Sequence, residues 1–144
     1  MRRALHWLAT CAMSLLASMP CQAACTVSTT SVAFNPYDVF NTLNNDITGT
    51  VTVRCNPSQA YTLSLSKGAG TYASRSLVNG PFILGYNLYT DAARTTIWGD
   101  GTSGTSTVSG NAKNATHTVY ARIPARQNAR MGSYTDTIVV TITY

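Results

Sequence analysis

Hydrophobic and polar residues alternate with a period of two through most of this chain. Val51, Val53 and Cys55 share one parity, and Thr50, Thr52 and Arg54 the other. Tyr61, Leu63 and Leu65 alternate with Thr62, Ser64 and Ser66, and His117, Val119, Ala121 and Ile123 with Thr118, Tyr120 and Arg122. The clearest run sets Ile138, Val140, Ile142 and Tyr144 against Thr137, Thr141 and Thr143. Successive side chains of an extended chain point to opposite faces, so each run predicts an antiparallel strand with one face on a core and one in water. Further strands are expected within 82–90 and 26–34. Turn residues punctuate the runs at Asn35-Pro36, Asn44-Asn45-Asp46, Asn56-Pro57, Gly68, Asn79-Gly80-Pro81, Gly99-Asp100-Gly101 and Met131-Gly132. No segment sustains a 3.6 period. Six or seven short strands spaced in this way predict an all-β antiparallel sandwich. Residues 99–114, mostly Gly, Ser, Thr, Asn and Ala, read either as a surface loop or as a loop holding a short edge strand near 105–108.

One stretch breaks the pattern. Met1-Arg2-Arg3 is followed by a mostly apolar run over 4–19, then Pro20 and the small-residue site Cys21-Gln22-Ala23. Positive, apolar and small zones in that order predict a secretory signal peptide over residues 1–23, cleaved after Ala23. The apolar run is shorter than the ~20 residues of a membrane span, and the mature chain, 24–144, is expected to carry no transmembrane span. Its length suits one domain. Cys11 and Cys21 leave with the leader, so Cys25 and Cys55 remain to pair with each other in an oxidising compartment. The chain has no Glu, and its positive residues are scattered, unlike the clustered footprint of a nucleic-acid binder. No nucleic-acid partner is expected.

The chemistry of catalysis is sparse. His117 is the one histidine after the leader and sits within an alternating, Thr-rich run. Asp38, Asp46, Asp91, Asp100 and Asp136 are the carboxylates, and none lies in a recognisable pair, metal-ligand spacing or nucleophile elbow. Asp91 and Asp100 read as turn residues. The sequence therefore predicts a protein that is not an enzyme, with no cofactor and no metal.

Several phrases together carry a resemblance. They are Cys25-Thr26-Val27-Ser28, Val32-Ala33-Phe34-Asn35-Pro36-Tyr37-Asp38, Gly49-Thr50-Val51-Thr52-Val53-Arg54-Cys55, Tyr61-Thr62-Leu63-Ser64-Leu65-Ser66-Lys67-Gly68, Leu84-Gly85-Tyr86-Asn87-Leu88-Tyr89-Thr90-Asp91 and Trp98-Gly99-Asp100-Gly101. The ending from Gly132-Ser133-Tyr134-Thr135-Asp136 to Tyr144 completes the set. In this order they resemble the spore coat protein U domain, the pilin domain of archaic chaperone–usher (Csu-type) pili, across essentially all of 24–144. The resemblance implies an immunoglobulin-like sandwich that lacks its final strand. It also implies passage through the periplasm to the cell surface, a pilus or the medium. The implied partners are a periplasmic chaperone, an outer-membrane usher and neighbouring pilin subunits. Ile138, Val140, Ile142 and Tyr144 are the expected lining of the groove that a partner strand would fill, since an apolar edge strand needs a cover.

One departure bears on the role. Polymerising pilins carry a donor segment of ten or more residues before their first cysteine, whereas cleavage after Ala23 leaves only Ala24 before Cys25. The expectation is a structural or adhesive subunit that accepts a strand, at a tip or as a minor component, or a coat component. The alternative is a self-sufficient secreted module binding carbohydrate or a surface, with Tyr86, Tyr89 and Trp98 as stacking candidates.

Overall fold

The computed structural model describes residues 24–144, so the expected leader, residues 1–23, lies outside the described residues. Six strands follow in order: β1 (Ala24–Thr29), β2 (Asn45–Leu65), β3 (Arg75–Asn79), β4 (Phe82–Tyr89), β5 (Val108–Ile123) and β6 (Val140–Thr143). All pairings are antiparallel; the order is β1-β2-β5-β4-β3, with β6 also on β2. β2 runs for 21 residues and β5 for 16, long enough for their right-handed twist to serve two layers. The first half of β2 carries β1 on one edge and the end of β5 on the other. Its second half carries β6 and the start of β5. The sheet thereby curls into a half-barrel, with its apolar parity inside. No helix among the described residues is long and apolar enough to cross a membrane.

The residues Asn56-Pro57 do not separate two strands, as their turn chemistry predicts; they lie inside β2. Arg54 stands opposite Asn114 and Gln59 opposite Ala112, so four residues of β2 face Lys113 alone. Pro57 has no N–H to give the ladder, and the strand accommodates it as a bulge. Two expected short strands are therefore one bent strand. The polar stretch 99–114 also divides differently from either expectation. Residues 99–107 form a loop pinned by a bridge between Trp98 and Ser106, while Val108 already opens the central strand β5.

The core is built from the parity that the alternation marks. Val51, Val53, Leu63 and Leu65 of β2, Leu84 and Leu88 of β4, and Val119, Ala121 and Ile123 of β5 are all buried. Trp98 is fully buried, and its indole N–H donates to the Leu63 carbonyl at 3.2 Å. Cys25 lies opposite Cys55 in the β1–β2 register, and the two form a disulfide. It closes a loop of 30 residues, which on the chain-entropy account stabilises by about 3–4 kcal/mol. His117 is half-buried, its Nε2 2.8 Å from the Tyr61 hydroxyl; burial moves the imidazole pKa down and the phenol pKa up.

Candidate functional site

The curled sheet leaves a gap between its two ends. After β1 the chain stays extended: the Thr30 N–H donates to the Thr50 carbonyl (3.0 Å), and the Thr50 N–H donates to Thr30 Oγ1 (2.8 Å). Gly49 allows the approach that follows, because a Cβ there would sit 2.8 Å from Val32 Cγ2. Residues 29–34 form one wall. The other begins where Thr135 and Val78 exchange backbone bonds of 2.8 and 3.1 Å. Ser66 N–H then donates to the Val139 carbonyl, and Val139 N–H to Ser66 Oγ, both at 2.9 Å. Along this wall Asp136, Ile138 and Val140 are half-buried, while Thr137 and Val139 are exposed.

Between the walls lies a cavity of about 320 Å³, lined by Val32 and Phe34 on one side and Ile138 and Val140 on the other. Its floor is the core itself: Val51, Leu65, Leu88 and Val119 line it and are each 5% exposed or less. Phe34 meets the Tyr86 ring edge-on, with centroids 5.9 Å apart. Among the described residues no backbone hydrogen bond joins one wall to the other. Two strand-like edges thus face each other across open apolar surface.

Of the residues expected in the groove, Ile138 and Val140 line this cavity. Ile142 is half-buried opposite Leu63 in the β2–β6 ladder and is not part of the lining. Tyr144 is 57% exposed and also outside it. The opposite wall, Val32 and Phe34, was missing from the expected lining. Its signal was present in the sequence, since both apolar residues share a parity across Ala33 beyond the end of β1.

Asp136 is the charged residue of the lining. Its Oδ1 accepts from the Ala69 N–H (3.0 Å) and the Thr137 N–H (2.8 Å), and its Oδ2 from the Tyr86 hydroxyl (2.7 Å). Gly68, at φ 62°, makes room: a Cβ there would overlap the Asp136 carboxylate. Burial, reinforced by the bond to Asp136, pushes the Tyr86 hydroxyl pKa far up, so it stays a donor.

The remaining carboxylates are committed elsewhere. Asp46 accepts from Arg122 Nε at 2.7 Å, and this hydrogen bond holds its pKa below the usual carboxylate range. Asp91 accepts the Thr95 and Thr96 N–H groups, and Asp100 the Thr102 N–H and hydroxyl, as turn residues do. Among the described residues no group of three His, Cys, Asp or Glu is placed to hold a metal ion. Trp98 and Tyr86, two of the stacking candidates, are buried in the core. What the arrangement offers chemically is an apolar slot with hydrogen-bonding edges.

A family model described as the Spore Coat Protein U domain matches residues 11–141. Protein U of Myxococcus xanthus is 33% identical over 123 residues, covering 77% of this chain and 68% of that protein. Among solved structures, one similar chain is in the CsuC–CsuE chaperone–tip adhesion subunit pre-assembly complex from archaic chaperone–usher Csu pili of Acinetobacter baumannii. The TM-score is 0.64 at 19% identity, which speaks to the fold; the match covers 85% of this chain and spans 40% of that one.

Proposed function

Because this chain belongs to the Spore Coat Protein U domain family, we propose that it is a structural or adhesive subunit of an exported surface fibre or coat, not an enzyme, and that its groove accepts a strand from a partner. The observation that carries this is the cavity between residues 29–34 and 136–140, open onto Val51, Leu65, Leu88 and Val119. An empty apolar slot forfeits dispersion contacts on every side, and two facing edges are open to pairing with another chain. An extended segment entering it supplies side chains to the floor and backbone groups to the edges, which is recognition by strand addition.

The solved complex with a similar fold joins a chaperone to a tip adhesion subunit. By extension, the partners here are a periplasmic chaperone that covers the groove first, an outer-membrane usher, and a neighbouring subunit whose segment replaces the chaperone. Export through a leader at residues 1–23, and a site at the cell surface, belong to the same proposal. Co-production with a chaperone of this type tests it. The soluble yield is expected to rise several-fold with an equimolar complex, and Val140→Lys is expected to abolish both effects. Full yield of a stable monomer regardless of the chaperone would overturn the proposal.

A further inference from the structure

The groove carries one polar demand within its apolar lining. An ionised carboxylate offers about four acceptor sites. Among the described residues Asp136 has donors for three of them: two on Oδ1, from Ala69 and Thr137, and one on Oδ2, from Tyr86. The fourth, on Oδ2, has no donor among the described residues and, with Asp136 only half-buried, is left to water while the groove is open. A strand that fills the groove expels that water. If it brings an aliphatic side chain to this level, it strips a charged acceptor without replacing the bond, which is among the costlier losses in a buried interface. If it brings a donor, the same site becomes a charge-assisted hydrogen bond.

The level is defined by the wall. Asp136, Ile138 and Val140 share one half-buried parity and all line the cavity; of the exposed residues between them, Thr137 touches its border and Val139 lies outside it. Inward side chains of an entering strand are spaced two residues apart in the same way. Three successive inward positions therefore meet a carboxylate, a branched aliphatic chain and another branched aliphatic chain. Asp136 is the only charged member of the lining, so charge complementarity is set at one end of the groove.

Resting on the strand-acceptor reading, we propose that Asp136 is a specificity-determining residue. It selects a partner segment that carries an N–H or O–H donor, above all a lysine, at the inward position level with it. Aliphatic residues follow at the next two inward positions. Unfavourable contact with wrong partners, as much as attraction to the right one, then sets the register.

The probe is a synthetic peptide of about nine residues alternating Val and Thr, with each Val replaced singly by Ser, Lys or Asp. Binding to the purified protein is measured by calorimetry. At one inward position Lys is expected to bind about tenfold more tightly than Val, Ser to be tolerated and Asp to be rejected. Asp136→Asn is expected to erase the Lys preference while binding the all-Val peptide at least as well. Thermal unfolding checks that this variant is folded. Tyr86→Phe keeps the carboxylate, frees a second acceptor site and is expected to strengthen the preference. The inference is overturned if no inward position favours a donor, or if the preference survives in Asp136→Asn or is unchanged in Tyr86→Phe. If none of the peptides binds, the strand-acceptor reading fails with it.

Discussion

The corner around Arg75 and the groove beside Ile138 border the same core and finish it in opposite ways. Arg75 is fully buried. Its Nε and Nη2 donate to the Ser66 carbonyl at 3.1 and 2.9 Å, Nη2 also to the Trp98 carbonyl at 2.7 Å, and Nη1 to Asn87 Oδ1. Asn87 passes the network on to the Tyr72 and Ala73 carbonyls. Here a long side chain reaches into irregular backbone and satisfies carbonyls that no strand can pair. At the groove none of the described residues supplies such a plug. The difference teaches that the opening is not a general looseness of the fold, because among the described residues no buried side-chain nitrogen or oxygen lacks a partner. The two regions also share a residue: Ser66, held by Arg75, is the one that bonds Val139 on the groove wall. The sealed corner fixes the position of the open one.

The strongest way to break this contrast is Arg75→Met. The substitution leaves the Ser66 and Trp98 carbonyls without their side-chain donor in a buried site and Asn87 Oδ1 with only the Leu88 N–H. A loss of about 3–5 kcal/mol is expected in urea unfolding, together with weaker strand binding, because the wall at Val139 loses its anchor. Unfolding unchanged within error would mean that the corner does not support the wall.

Next in size is the disulfide. Replacing Cys25 and Cys55 together by Ser is expected to cost about 3 kcal/mol by the same measurement. The consequence for the comparison is lopsided. Among the described residues β1 pairs only with β2, and its continuation is the wall bearing Val32 and Phe34. The groove should therefore lose more order than the Arg75 corner, seen as faster amide exchange over 24–34 than over 75–79.

Substitutions of similar chemistry then sharpen the boundary. Leu65 is 1% exposed beneath the groove, and Leu65→Ala is expected to cost about 3 kcal/mol. Ile138 is half-buried and faces the cavity, so Ile138→Ala removes fewer contacts and is expected to cost about 1 kcal/mol. With a strand-forming peptide bound, the Ile138 side chain gains neighbours and the gap should narrow. Equal costs without peptide would argue that the groove is already filled.

How far the sequence told this in advance follows from what alternation can and cannot carry. The inward residues of β2 and β5 were legible, because a period of two separates faces regardless of what they pack against. Strand boundaries at Asn56-Pro57 were not, since the same residues suit a turn or a bulge and only the long-range register with β5 decides. Half of the groove was legible for the same reason that the core was: Ile138 and Val140 lie on the apolar parity. The wall at Val32 and Phe34 showed its apolar parity but not its place, which depends on which segment lies across the gap. The role of Asp136 was marked more faintly. It occupies the inward parity of its run, where an aliphatic residue would be expected, and Arg75 likewise gave no local sign that a guanidinium would be buried whole.

The smallest effect tests the margin between the two regions. His117 faces inward opposite Val51 in the β2–β5 register, two residues before Val119 of the groove floor. Burial lowers its pKa in the folded protein, whereas the unfolded chain takes up the proton near the ordinary value of about 6.5. The unfolded state then binds more protons as pH falls through that value, so acidification destabilises the fold, and the slope ends below the folded pKa. The Asp46 contribution lies in a separate window. Its pKa is lowered, chiefly by the hydrogen bond from Arg122, so that part of the stability is present at neutral pH and is lost only below about pH 4. His117→Gln keeps a hydrogen-bonding group near the Tyr61 hydroxyl but cannot titrate. Its unfolding midpoint should fall less than that of the unsubstituted protein as pH drops through about 6.5, and the two should run parallel again once pH lies below the lowered folded pKa of the imidazole. Identical slopes across the upper window would mean that water reaches the imidazole in the folded state, and with it the margin of the core beneath the groove.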